Sequence, residues 1–124
     1  MGDRKVILIA DDEPELRQVL SMRLISAGYA VVEASNGKGA MNLACAKRPD
    51  LIILDIMMPQ MDGMSLSQKL KDNPITKNIP IIFLTGLVDK QTESHDISSG
   101  QNIIFAKPYD ASELLATIAN LIGK

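Results

Sequence analysis

Leu51-Ile52-Ile53-Leu54 runs without a polar break into Asp55, and this stretch decides the fold. An unbroken apolar run of this length, rich in β-branched isoleucine, suits a strand buried on both faces, as strands are inside a parallel sheet. Similar runs flank it. Val6-Ile7-Leu8-Ile9-Ala10 comes before; Ile79-Pro80-Ile81-Ile82-Phe83-Leu84 and Ile103-Ile104-Phe105-Ala106 come after, with Ala30-Val31-Val32-Glu33-Ala34 as a weaker fifth.

The segments between these runs carry helical periodicity. Pro14, a favoured first-turn residue, precedes Leu16, Val19, Leu20, Leu24 and Ala27, and Gly28 supplies a stop. A second helix is predicted over Lys38 to Lys47, and a third over Gly63 to Lys71 with Leu66 and Leu70 inward. A fourth, from about Asp89 to Ser99, has only Ile97 as a clear apolar anchor and is the weakest. The last carries Leu114, Ile118, Leu121 and Ile122 and opens on Asp110 and Glu113, spaced as a capping box. Strand and helix alternate five times, so the fold is α/β: a (βα)₅ doubly wound sheet with helices on both faces. Ligands of such sheets sit outside the carboxyl ends of the strands.

Composition narrows the function. The 124 residues, 46% hydrophobic, fit one domain with a real core, so a single domain over 1–124 is expected, with no output domain in this chain. A net charge of −2 gives no basic field to hold a polyanion, and direct nucleic-acid binding is not expected. No apolar stretch reaches the roughly 18 residues of a membrane span. The single Cys45 cannot form an internal disulfide, and a reducing cytoplasmic setting is the expectation.

The residues that close the strands carry the chemistry. Asp11-Asp12-Glu13 follow the first run, Asp55 the third, Thr85-Gly86 the fourth and Lys107-Pro108 the fifth. Carboxylates gathered at one edge repel one another, and a hard divalent cation with oxygen ligands offsets that repulsion. Mg²⁺ fits best, because it needs one or two carboxylates plus phosphate oxygens. An Asp can then act as nucleophile and form an aspartyl phosphate. Thr85 and Lys107 would complete a cradle for the phosphoryl oxygens. Singly, each group has a plainer reading: the acidic triplet caps a helix, Asp55 ends a strand, Thr85 sits in a turn and Lys107 is a solvated charge. Four groups arriving at one edge in this order outweigh those readings.

With Asp55-Ile56-Met57-Met58-Pro59-Gln60-Met61-Asp62-Gly63 after the third strand, this set resembles the receiver domains of two-component response regulators over essentially the whole chain. The resemblance implies a flavodoxin-like sheet of order 2-1-3-4-5. It also implies Asp55 as phosphoacceptor, Asp12, Asp55 and the Met57 backbone carbonyl as Mg²⁺ ligands, and Asp11 as a helper through water. Thr85 becomes the switch hydroxyl and Lys107 the phosphoryl contact, while Pro59 and Gly63 shape the loop. Implied partners are a sensor histidine kinase or a histidine phosphotransfer protein upstream, and an effector protein or domain downstream, in a bacterial cytoplasm. The chain would be a signalling switch, not an enzyme acting on a separate substrate.

Two positions depart from the family pattern. Ile104 stands where many receivers carry Tyr or Phe, with Phe105 beside it, so the response is expected in the segment after Thr85. Met57 and Leu87 stand where family precedent places side chains that orient a hydrolytic water, which predicts slow autodephosphorylation. Competing readings are weaker. A pseudo-receiver would lack an acceptor, metal or lysine position; an aspartyl-phosphate phosphatase would want an acid at Met57; a flavodoxin-like cofactor binder would not place Asp11-Asp12-Glu13 against phosphate. His95 lies in a polar segment and reads as exposed, Cys45 as a small buried residue, and the seven methionines mainly as core filler.

Overall fold

A computed structural model describes residues 4–56, 63–85, 103–106 and 109–123. Its five strands are β1 (Val6–Ala10), β2 (Ala30–Ala34), β3 (Leu51–Asp55), β4 (Ile81–Thr85) and β5 (Ile103–Ala106). All pair in parallel, in the order β2-β1-β3-β4-β5. Four helices are described: α1 (Pro14–Ser26), α2 (Gly37–Lys47), α3 (Gly63–Asp72) and α4 (Ala111–Ile122). The helix expected over Asp89 to Ser99, and His95 within it, lie outside the described residues.

Alternation along the strands builds two cores. Leu8, Ile52, Leu54, Phe83 and Ile104 face Ala40 and Ala44 of α2 and Leu66 and Leu70 of α3. Ile7, Ile9, Leu51, Ile53, Ile82 and Leu84 face Leu20 and Leu24 of α1 and Leu114 and Ile118 of α4. β3, at the centre of the sheet, is buried along its whole length, which is why its sequence is unbroken by polar residues. β2 lies at the edge and is only partly covered, which is why its run is the weakest of the five.

Local signals stop and start the helices. Gly28, at φ +102°, follows α1; its N–H donates to Ile25 O at 3.0 Å and the Tyr29 N–H to Leu24 O at 3.1 Å. This is the Schellman arrangement, with Tyr29 and Leu24 sharing one core. Asn36 caps α2 by accepting from the Gly39 N–H at 2.8 Å, so the helix starts at Gly37, one residue before the expected Lys38. Asp110 Oδ1 accepts from the Glu113 N–H at 3.1 Å, as the capping-box spacing predicts.

Three expectations need correction. Leu16 and Val19 are 44% and 47% exposed, so only Leu20 and Leu24 of the periodic set on α1 are fully buried. Leu121 of α4 is also exposed. Cys45 is half-buried, not buried, and its Sγ accepts from Asn73 Nδ2 at 3.6 Å.

Candidate functional site

β1 and β3 are neighbours, with Ala10 opposite Leu54 in register. The next residue on each strand is an aspartate, so Asp11 and Asp55 reach the carboxyl edge of the sheet at the same level. Across β3 and β4, Asp55 pairs with Leu84; one step further, Thr85 pairs with Ala106 of β5. Topology thus brings the ends of β1, β3, β4 and β5 to one edge. Met57, Pro59, Leu87 and Lys107 lie outside the described residues, as does the side chain of Thr85.

Asp11 is 2% and Asp55 4% exposed, while Asp12 beside them is open to solvent. One carboxylate oxygen from each lies within 4.8 Å of the others. At an effective dielectric of about 20, two charges at that separation repel by about 3 kcal/mol. The fold accepts that cost at a place where a cation can offset it. Three hard oxygen donors, two withdrawn from water and one exposed, suit a small divalent ion that keeps part of its hydration shell. The donor set therefore fits Mg²⁺.

Asp11 is held through both its backbone and its side chain. Its N–H donates to Ala34 O of β2 at 3.1 Å, and its Oδ1 accepts from the Glu13 N–H at 2.9 Å. Its backbone carbonyl accepts from Arg17 Nη1 at 2.6 Å, while Arg17 Nε donates to Glu33 Oε1 of β2 at 2.9 Å. The Asp11 side chain thus closes an Asx turn that leads into α1, whose N-cap Glu13 makes no side-chain cap bond of its own. The contacts of Arg17 and Glu33 escaped the sequence reading. The available signal was Glu33 itself, a charge inside an otherwise apolar strand run.

Next to the acids, a cleft of about 420 Å³ runs between α1 and the start of α4. Asp11 forms its polar end, and Leu16, Val19, Leu20, Leu84 and Tyr109 contribute apolar walls. Val19, Arg23 and the exposed Met22 carry this surface on toward Leu115.

The family model described as response regulator receiver domain matches residues 7–119. The chain belongs to the response regulator receiver family. Among curated relatives of this receiver, the DNA-binding dual master transcriptional regulator RpaA of Synechocystis is 38% identical over 95% of the chain and 49% of its own length. The phosphate regulon transcriptional regulatory protein PhoB of Pseudomonas aeruginosa is 36% identical over 97% of the chain and 52% of its own. The receiver thus spans about half the length of these relatives.

Solved receivers superpose closely. A response regulator from Chloroflexus aurantiacus gives a TM-score of 0.87 at 30% identity, covering 98% of this chain and 100% of that one. The receiver domain of a sensor histidine kinase from Pseudomonas aeruginosa gives 0.85 at 29% identity, covering 98% and 99%, and was solved with a magnesium ion coordinated in its active site cleft. Among the described residues of the present receiver, no helix is long and apolar enough to cross a membrane.

Proposed function

We propose that this receiver is the phospho-accepting switch of a two-component system, with Asp55 as the acceptor. The observation that supports it most is the burial of Asp55 beside Asp11 and Asp12 at the carboxyl edge of the central strand. A carboxylate oxygen of Asp55 attacks the phosphorus of a phosphohistidine on a sensor kinase or phosphotransfer protein. The P–N bond breaks, the imidazole leaves with the bonding pair and takes up a proton, and an acyl phosphate remains on Asp55.

Asp12, Asp55 and the Met57 carbonyl would hold Mg²⁺ directly, with Asp11 acting through water. The ion, when bound, offsets the charge of the acids and of the phosphoryl oxygens. Thr85 donates its hydroxyl to one phosphoryl oxygen and Lys107 its ammonium to another, which ties the new charge to the ends of β4 and β5. Ile104 is buried in the core on the α2 and α3 side. An isoleucine there cannot carry an aromatic swing, so the response belongs to the segment following Thr85.

The donor protein must reach Asp55, and the exposed apolar residues of α1 beside the Asp11 cleft give it a surface adjoining the acids. Residues 1–124 act as one receiver unit in the cytoplasm, signalling to an effector through a protein surface. Its net charge of −2 favours neither DNA nor an anionic membrane as a direct partner. The only bonds it makes and breaks are those of its own phosphoryl group.

Intact mass spectrometry after incubation with acetyl phosphate tests this. One phosphoryl adduct is expected, dependent on Mg²⁺ and absent from Asp55→Asn. No adduct in the wild-type chain, with no Mg²⁺ binding, would instead make it a receiver-fold module that signals without phosphorylation.

A further inference from the structure

Arg17, on the first turn of α1, reaches back to the backbone of the acidic site. Its guanidinium spans two elements: Nη1 donates to the Asp11 carbonyl at 2.6 Å and Nε to Glu33 Oε1 at 2.9 Å. The arginine side chain is mostly covered, at 17% exposure. Glu33 is fixed in turn by β2, where it sits opposite Ile9 of β1, two residues before Asp11. A planar fork of donors can meet both acceptors at once, which a point-charge ammonium on a flexible stem does less well.

We infer that Arg17 is a positioning residue for metal binding, holding the loop from Asp11 to Glu13 so that Asp11 and Asp12 present their oxygens toward Asp55. This rests on the reading of the acidic cluster as a Mg²⁺ site. Two effects of Arg17 on that site have opposite signs. As a nearby positive charge it disfavours a cation, so its removal would tighten Mg²⁺ binding. As a tether it favours the cation, so its removal would weaken binding, as loss of outer-shell partners does at metal sites. The short contact to the Asp11 carbonyl, made by a guanidinium that Glu33 of β2 fixes from the other side, makes the tether the larger effect.

Isothermal titration of Mg²⁺ into unphosphorylated wild-type, Arg17→Met and Arg17→Lys chains separates the two. Arg17→Met is expected to raise the Kd about tenfold. Arg17→Lys keeps the charge constant, so its expected rise of about threefold reports geometry alone. Tighter binding in Arg17→Met, or wild-type affinity in Arg17→Lys, would overturn the inference. A wild-type chain that binds no Mg²⁺ would instead overturn the reading of the site on which it stands.

Discussion

Asp50 and Asp55 bracket the same strand and do different work. Asp50, just before β3, has its Oδ2 accepting from the Val6 N–H at 2.8 Å, one acid serving one backbone donor between neighbouring strands. Asp55, at the other end of β3, is buried within 4.8 Å of the carboxylate oxygens of Asp11 and Asp12. The first arrangement lowers the energy of the fold; the second sets like charges close together, a cost that a bound cation would offset. Burial of an acid does not by itself mark function. Assembly of like charges at the carboxyl edge of a doubly wound sheet is what supports the proposed metal site.

The largest expected effect separates these two acids. Mg²⁺ at ten times its Kd should add about 1.4 kcal/mol of stability to the wild-type receiver, a rise of about 5 °C in melting temperature. Asp55→Asn should lose that rise while starting from equal or higher stability, because a like charge has gone. Asp50→Ala should keep the rise but start about 1 kcal/mol lower, because the Val6 N–H loses its acceptor. Thermal melts with and without Mg²⁺ read all of these, and a Mg²⁺ response that follows Asp50 would erase the distinction.

A smaller effect concerns the phosphoryl group once formed. Met57 cannot hydrogen-bond a hydrolytic water, so Met57→Asn should speed loss of the phosphoryl group about fivefold, close to 1 kcal/mol in barrier. Decay of the adduct mass with time after removal of the donor measures this. An unchanged or slower decay would show that the side chain at this position does not limit hydrolysis.

The smallest effect lies with a polar group that, like Asp50, works for the fold. The Tyr29 hydroxyl donates to the Gly123 carbonyl just past α4 at 3.1 Å, and burial pushes its phenol above the usual value. Since the folded value lies above the unfolded one, the stability from the protonated phenol is complete below about pH 10 and lost as pH rises through the folded value. Urea unfolding at pH 8 and above pH 10 should show a smaller alkaline loss in Tyr29→Phe, with Mg²⁺ affinity at pH 8 unchanged. An identical alkaline loss in both chains would remove Tyr29 from the cause.

The fold was legible in the sequence because β1, β3 and β4 are nearly uniform in polarity, and only strands covered on both faces look like that. The strand order came from the family resemblance, since spacing alone does not distinguish the ways of winding five parallel strands. α1 was legible as a helix from Pro14 to the stop at Gly28, but its inner face was only partly so, because Leu16, Val19, Leu20, Met22, Leu24 and Ile25 surround it and a helix apolar on most sides does not declare which face is buried. The acids of the site were legible as strand-end residues. The contacts of Arg17 with the Asp11 carbonyl and Glu33 were not, because a side chain that acts through a backbone carbonyl leaves no motif.

The central claim is that Asp55, and not its neighbours, receives the phosphoryl group. After phosphorylation with acetyl phosphate and Mg²⁺, borohydride reduces an aspartyl phosphate to homoserine, and tandem mass spectrometry of the digest locates it. The expected result is homoserine at position 55 alone, dependent on Mg²⁺. Homoserine at position 11 or 12, or a phosphoryl adduct that borohydride leaves intact, would contradict the assignment of Asp55.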